Sequence, residues 1–178
     1  MKKGRLAAVF LVLWMTSGNS ALGAVRHFST EVDNEITTGD VSISIQEYQR
    51  NEAGERVPYT DGKCVVPNEK AEKIVTIINE AEAAWIRAKA EFSGYAGFAG
   101  REAVPEEIPD GWIKCGGYYY WNRPAETGEE ILFFDHVRIP GDWSEEDEGK
   151  QFTIDVTAQA VQKVNFIPDF QSEDPWFG

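Results

Sequence analysis

Apolar and polar residues alternate along much of this chain. In Phe152–Gln162 (FTIDVTAQAVQ), Phe152, Ile154, Val156, Ala158 and Ala160 fall on one side, and Thr153, Asp155, Thr157 and Gln159 on the other. A period of two with β-branched residues predicts a half-buried strand. VSISI repeats it, with Val41, Ile43 and Ile45 set against Ser42 and Ser44 after a Gly39-Asp40 turn. ILFFDHVRI, ended by Pro140-Gly141, is a third run. GYYYW (117–121) is a fourth, joined to the third by RPAETGEE, a loop with turn chemistry. In the fourth run two aromatics face a core and two face outward, an outward pair being a candidate platform for sugar or for a neighbouring subunit. In the third, strict alternation places Phe134, His136 and Arg138 on one face. Strands and turns at this spacing predict an all-β, antiparallel sandwich.

The middle of the chain supports two readings. Residues 68–92 (NEKAEKIVTIINEAEAAWIRAKAEF) are rich in Ala, Glu and Lys, with Asn68 as a cap and Ile74, Ile77, Ile78, Ala81 and Trp85 at helical spacing. Divided at Asn79–Glu82, the same residues give two strands. Ala84, Ile86, Ala88, Ala90 and Phe92 then line one face of the second, against Trp85, Arg87, Lys89 and Glu91. Local propensity alone favours the helix. The Gly-, Pro- and acid-rich stretch 94–110 reads as a long surface loop.

The front of the chain changes the picture. Lys2, Lys3 and Arg5 precede an apolar run from Leu6 to Met15 and a small-residue stretch ending at Ala24. That order predicts a cleaved secretory signal peptide over 1–24, cut near Gly23 or Ala24. The run is half the roughly 20 residues a membrane span needs. Its removal takes away three of the 17 Lys and Arg and none of the 30 Asp and Glu. The remaining 154 residues carry a formal charge of −16, against −13 for the whole chain. Such a length is one domain, 25–178, with 25–36 as a candidate donor or edge strand and 167–178 as a tail. The charge argues against nucleic-acid partners, and no second apolar stretch predicts stable membrane insertion. A secreted, extracellular or cell-surface location follows.

Candidate chemistry is sparse. Cys64 and Cys115 are a candidate disulfide, worth about 4 kcal/mol for a loop of this size, or else two free thiols. Asp142, Glu145, Glu146, Asp147 and Glu148 form the densest acidic cluster, but without the ligand spacing of a calcium loop, so a solvated loop is expected. His27 and His136 are the only histidines, neither within an H-E-x-x-H pattern, and His136 reads as an exposed strand residue. No catalytic residue, metal ligand set or cofactor motif is expected.

The order of segments resembles the camelysin/TasA family of exported bacterial proteins. His27-Phe28-Ser29-Thr30 and Thr38-Gly39-Asp40-Val41-Ser42-Ile43 resemble the start of its mature chains. Residues 65–92 resemble its central stretch, with Ala84-Trp85-Ile86-Arg87 matching and Asn68 where Gly is usual. GYYYWNRPAETGEEILFFDHVRIP and FTIDVTAQAVQ resemble its closing segments. The similarity runs from about residue 27 to 166. The two cysteines, Asn68, Arg26 and the Trp-Phe tail depart from the pattern. The resemblance implies a β-sandwich of jelly-roll type, and so strands rather than a helix over 71–92. It implies a dedicated signal peptidase during export, and a structural subunit of an extracellular fibre or biofilm matrix, partnered by copies of itself and a minor accessory subunit. The freed segment bearing Val25, Phe28, Val32 and Ile36 would then pair with a neighbour's sheet edge, as in donor-strand exchange, or else within its own sandwich. Two other classes stand beside this: an exported metalloprotease, since the family includes proteins so described, and a monomeric glycan-binding module using the Tyr-rich strand.

Overall fold

The structure, a computed structural model, describes residues 25–26 (backbone), 41–164 and 166–176. It is an antiparallel β-sandwich. One sheet has the order β3-β2-β5-β10-β7 and the other β11-β6-β9-β8. The strands are β1 Val25–Arg26, β2 Ile43–Arg50, β3 Arg56–Pro58, β4 Cys64–Val65, β5 Lys70–Asn79, β6 Ala84–Gly94, β7 Val104–Glu106, β8 Trp112–Cys115, β9 Tyr118–Trp121, β10 Glu130–Arg138 and β11 Phe152–Gln162. β1 and β4 form a separate pair through Val25↔Val65 and Arg26↔Cys64. Among the described residues, no helix is long and apolar enough to cross a membrane.

The helical alternative for 68–92 is overruled. β5 and β6 lie on opposite sheets, and the chain turns between them at Glu80–Ala83. Ala71, Val75 and Ile77 of β5 face Ala84, Ile86 and Ala88 of β6 across the core, all nearly solvent-free. An 11-residue ladder to β11 outweighs the weak helix propensity of Ala, Glu and Lys.

Asn79 holds that crossing. It is fully buried. Its Nδ2 donates to the carbonyls of Glu82 and Ala125, both at 2.9 Å, and its Oδ1 accepts from Ala81 N at 3.4 Å. Its backbone N donates to Glu129 O and its carbonyl accepts from Gly128 N. One side chain thus ties the β5–β6 crossing to the β9–β10 crossing. Upstream, Asn68 has φ +64, a left-handed conformation that Asn tolerates better than most residues. Gly141 lies so close to the Asn68 amide that a Cβ there would meet Oδ1 at 2.2 Å.

The 94–110 segment is mostly irregular but well anchored. Phe98 is fully buried, stacks on Trp143 at 4.3 Å and meets Phe92 and Phe152 edge-on. Arg101 donates to both carboxylate oxygens of Asp147 at 3.1 Å, while Trp143 Nε1 donates to Arg101 O. The acidic run 142–148 is therefore not simply solvated. Its Asp147 is buried, and Ser144 and Asp147 form a capping box over a 3-10 turn at Glu145–Asp147.

The alternation expected for β10 also fails locally. Register shifts lie between Leu132 and Phe134 and between Phe134 and His136. They leave Phe133 and Phe134 both buried and Asp135 and His136 both half-exposed, so Phe134 and His136 do not share a face. Bulges break the period of two on which sequence reading depends.

Two outcomes are expected. Asn79→Leu leaves the Glu82 and Ala125 carbonyls and the Ala81 amide short of partners and lowers stability by about 2–4 kcal/mol in urea unfolding, whereas exposed Asn122→Leu changes it by less than about 0.5. The Arg101 hydrogen bonds and the Ser144 amide hold the Asp147 carboxyl below its ordinary value. Its contribution is therefore complete above the unfolded carboxyl value, about pH 4, and is lost as pH falls through the lower folded value. The stability deficit of Asp147→Asn should be full at pH 7 and shrink on acidification below about pH 4. Paired denaturation curves across that range check the sign.

Candidate functional site

Three of the four outer edges of the sandwich are short. β3 has three residues and ends at Pro58, β7 has three with Pro105 at its centre, and β8 has four. Short strands and prolines blunt an edge because they offer few unpaired backbone groups. β11 differs. It is 11 residues long, contains no proline and carries one charge, Asp155. One side pairs with β6 in unbroken register from Phe152↔Gly94 to Gln162↔Ala84. No described strand pairs with its other side. Its inward positions are buried from Phe152 to Ala160, so the strand is fixed in register and its outer row of N–H and C=O groups is held in line.

The outward face of the same sheet carries a strap. After β11 the chain runs through exposed Val164 and Ile167 and returns across β6 and β9. Trp85 Nε1 donates to Phe166 O at 3.0 Å, and Phe170 meets Trp85 and Tyr120 edge-on. At the centre Arg87, 6% exposed, lies 4.2 Å from the Tyr118 ring centroid and 4.5 Å from that of Trp176. Its Nε donates to Gln159 Oε1, and its Nη1 lies 3.5 Å from Asp174 Oδ1, which also accepts from the Tyr120 hydroxyl. Burial raises the Tyr120 phenol above its ordinary value, opposed by Arg87. Tyr119 and Trp121 pack toward the core, so the two-and-two division of the aromatics holds. The outward pair is no open platform, because the 166–176 segment lies over it.

Other residues singled out in the sequence are dispersed. Cys64 and Cys115 are free thiols, not a disulfide. Cys64 is exposed on β4, whereas Cys115 ends β8 beneath the strap, its Sγ 3.2 Å from Ser172 O and 3.3 Å from Glu173 O. Of the candidate donor residues, Val25 is described as backbone paired with Val65. Phe28, Val32 and Ile36 lie outside the described residues, as do His27, the cleavage positions Gly23 and Ala24, and the rest of 1–24.

His136 has acidic company. Its Nδ1 is 2.7 Å from Asp135 Oδ1, and Glu107 completes a set of three side chains whose ligand atoms lie within 4.8 Å of one another. Three N/O ligands could hold a divalent cation with open positions. Glu107 is already paired with Lys70 at 2.6 Å, however, and a cation would have to displace that amine. Alternation did not bring Asp135 and His136 together, because the bulge does. Beside this cluster a cavity of about 310 Å³ has an apolar floor at Ile74 and Leu132 and charged walls at Arg50, Arg56, Glu130 and Asp135.

The meeting of Arg87 with Asp174 and Trp176 escaped sequence reading. The one available signal was an arginine in an otherwise regular strand followed, far downstream, by an Asp-Pro-Trp tail. Trp176→Ala removes one face of the Arg87 sandwich, worth about 1–2 kcal/mol when desolvated. The expected result is chymotryptic cleavage at Phe166 and Phe170 roughly tenfold faster or more, with a nearly unchanged core unfolding midpoint, because the strap opens locally. Compared with known proteins, the chain matches no family model, no curated protein and no solved structure.

Proposed function

We propose that the chain is a secreted structural subunit of an extracellular fibre or biofilm matrix, assembling by β-strand addition between copies. The β11 edge carries this reading. A long, unbroken, almost uncharged edge is a template for another strand, and proteins that remain single blunt such edges. Segment 25–36 of a neighbouring copy is the donor in this scheme. Support comes from β1, whose backbone holds β4 through two residue pairs and joins neither large sheet. So small a pairing is exchanged at low cost. The resemblance to the camelysin/TasA family supports the same scheme, including export by a dedicated signal peptidase and an accessory subunit.

Electron microscopy of protein beginning at Val25, beside protein beginning at Gly39, tests the proposal. Fibres are expected from the first and not from the second. Fibres from neither would contradict assembly by strand addition, and fibres from both would remove the N-terminal segment as donor.

The Glu107, Asp135 and His136 set favours a second reading, an exported metalloprotease. It requires one zinc ion per chain in purified protein and peptide cleavage abolished by His136→Ala. A glycan-binding module on the Tyr-rich strand finds less support, because the strap occupies that face.

A further inference from the structure

Lys73 sits where alternation requires an apolar residue. Ala71, Val75 and Ile77, its neighbours on the same face of β5, are core residues, and Lys73 itself is fully buried. Its Nζ is 2.7 Å from Glu47 Oε2 on the adjacent strand β2. Glu47 pairs in register with Val75, so Lys73 reaches it diagonally across the inner face. The contact is an ion pair by distance, and Glu47 Oε1 is buried with no hydrogen-bond partner among the described residues. Tyr59 encloses the pair. Its backbone N donates to Glu47 O, and its ring centroid is 4.4 Å from Nζ. Burial raises the Tyr59 phenol, with Glu47 adding to the shift, so the phenol stays protonated.

A buried ammonium beside a largely covered carboxylate is costly, and joining the two groups in one neutral bond relieves that cost. Burial lowers the Lys73 ammonium, opposed by Glu47. The carboxyl carbon is one bond beyond an oxygen that already touches the nitrogen. Reactants held this way have very high effective concentrations.

We propose that Lys73 and Glu47 are the site of an intramolecular isopeptide bond between β2 and β5. The Nζ lone pair attacks Glu47 Cδ and the Nζ–Cδ bond forms. Two of the three Nζ protons pass to one carboxylate oxygen, which departs as one water as the Cδ–O bond breaks, and nitrogen keeps the third. No oxidant, reductant or co-substrate enters. The product is a neutral amide in place of a buried ion pair, and it joins two neighbouring strands covalently. A bond of that kind suits a protein exposed outside the cell, but the inference stands on the pocket alone and not on the fibre reading.

Mass spectrometry of trypsin-digested full chain tests it. The bond makes Lys73 resistant to trypsin. It predicts a joined species of the peptide ending at Arg50 and the peptide Ala71–Arg87, lighter than the two together by one water. The same species should be absent from Lys73→Met. Cleavage after Lys73 in the wild type, with the Glu47 peptide recovered unlinked at full mass, would overturn the proposal. The wild-type digest is decisive by itself, even where the variant does not fold.

Discussion

The sandwich depends on one buried amide. A two-sheet fold must send its chain from one sheet to the other, and each crossing strands backbone groups that no ladder satisfies. Asn79 meets that demand at two crossings together, with its side chain reaching Glu82 and Ala125 and its backbone reaching Gly128 and Glu129. Because the turn after β5 is fixed there, β6 starts on the opposite sheet with Ala84 buried and hydrogen-bonded to Ala125. β6 then takes β11 along its full length on one side and β9 at Arg87 and Ala88 on the other.

That arrangement leaves β11 outermost. The same sheet is unequal in other ways. Its inner side is packed with Ile154, Val156 and Ala158, while its outer side around Trp85, Arg87 and Tyr120 is covered by the strap that Arg87 organises. The long edge is not closed by any described strand. The opposite sheet shows the reverse economy, with short proline-bearing edges and a charged outer face around Arg50, Arg56, Glu72 and Glu130. The two sheets differ in what they leave for a partner: one offers backbone, the other side chains.

Much of the sandwich was legible because burial of one sheet face writes a period of two into the sequence. β11 showed it most clearly, since every inward position from Phe152 to Ala160 is apolar and every outward one to Gln159 is polar. β5 and β6 were ambiguous because Ala, Glu and Lys favour helix locally, and their pairing with β10 and β11 resolves them as strands. The bulges in β10 were hidden, since an extra residue changes no composition, and Asp135 and His136 were therefore misplaced. The strap was hidden for a different reason. It has no periodicity, and it docks through three separated anchors, Phe170, Asp174 and Trp176. Lys73 was visible in principle as a charge at an inward position, but its meaning needed Glu47 and Tyr59 beside it.

The central claim is that the outer row of β11 backbone groups receives another strand. Hydrogen exchange resolved over Phe152–Gln162, in dispersed protein and in protein concentrated until it associates, tests it most directly. The account predicts that alternate amides of β11, those pointing away from β6, exchange fast in the dispersed form and become protected on association. Association that leaves their exchange unchanged would contradict it.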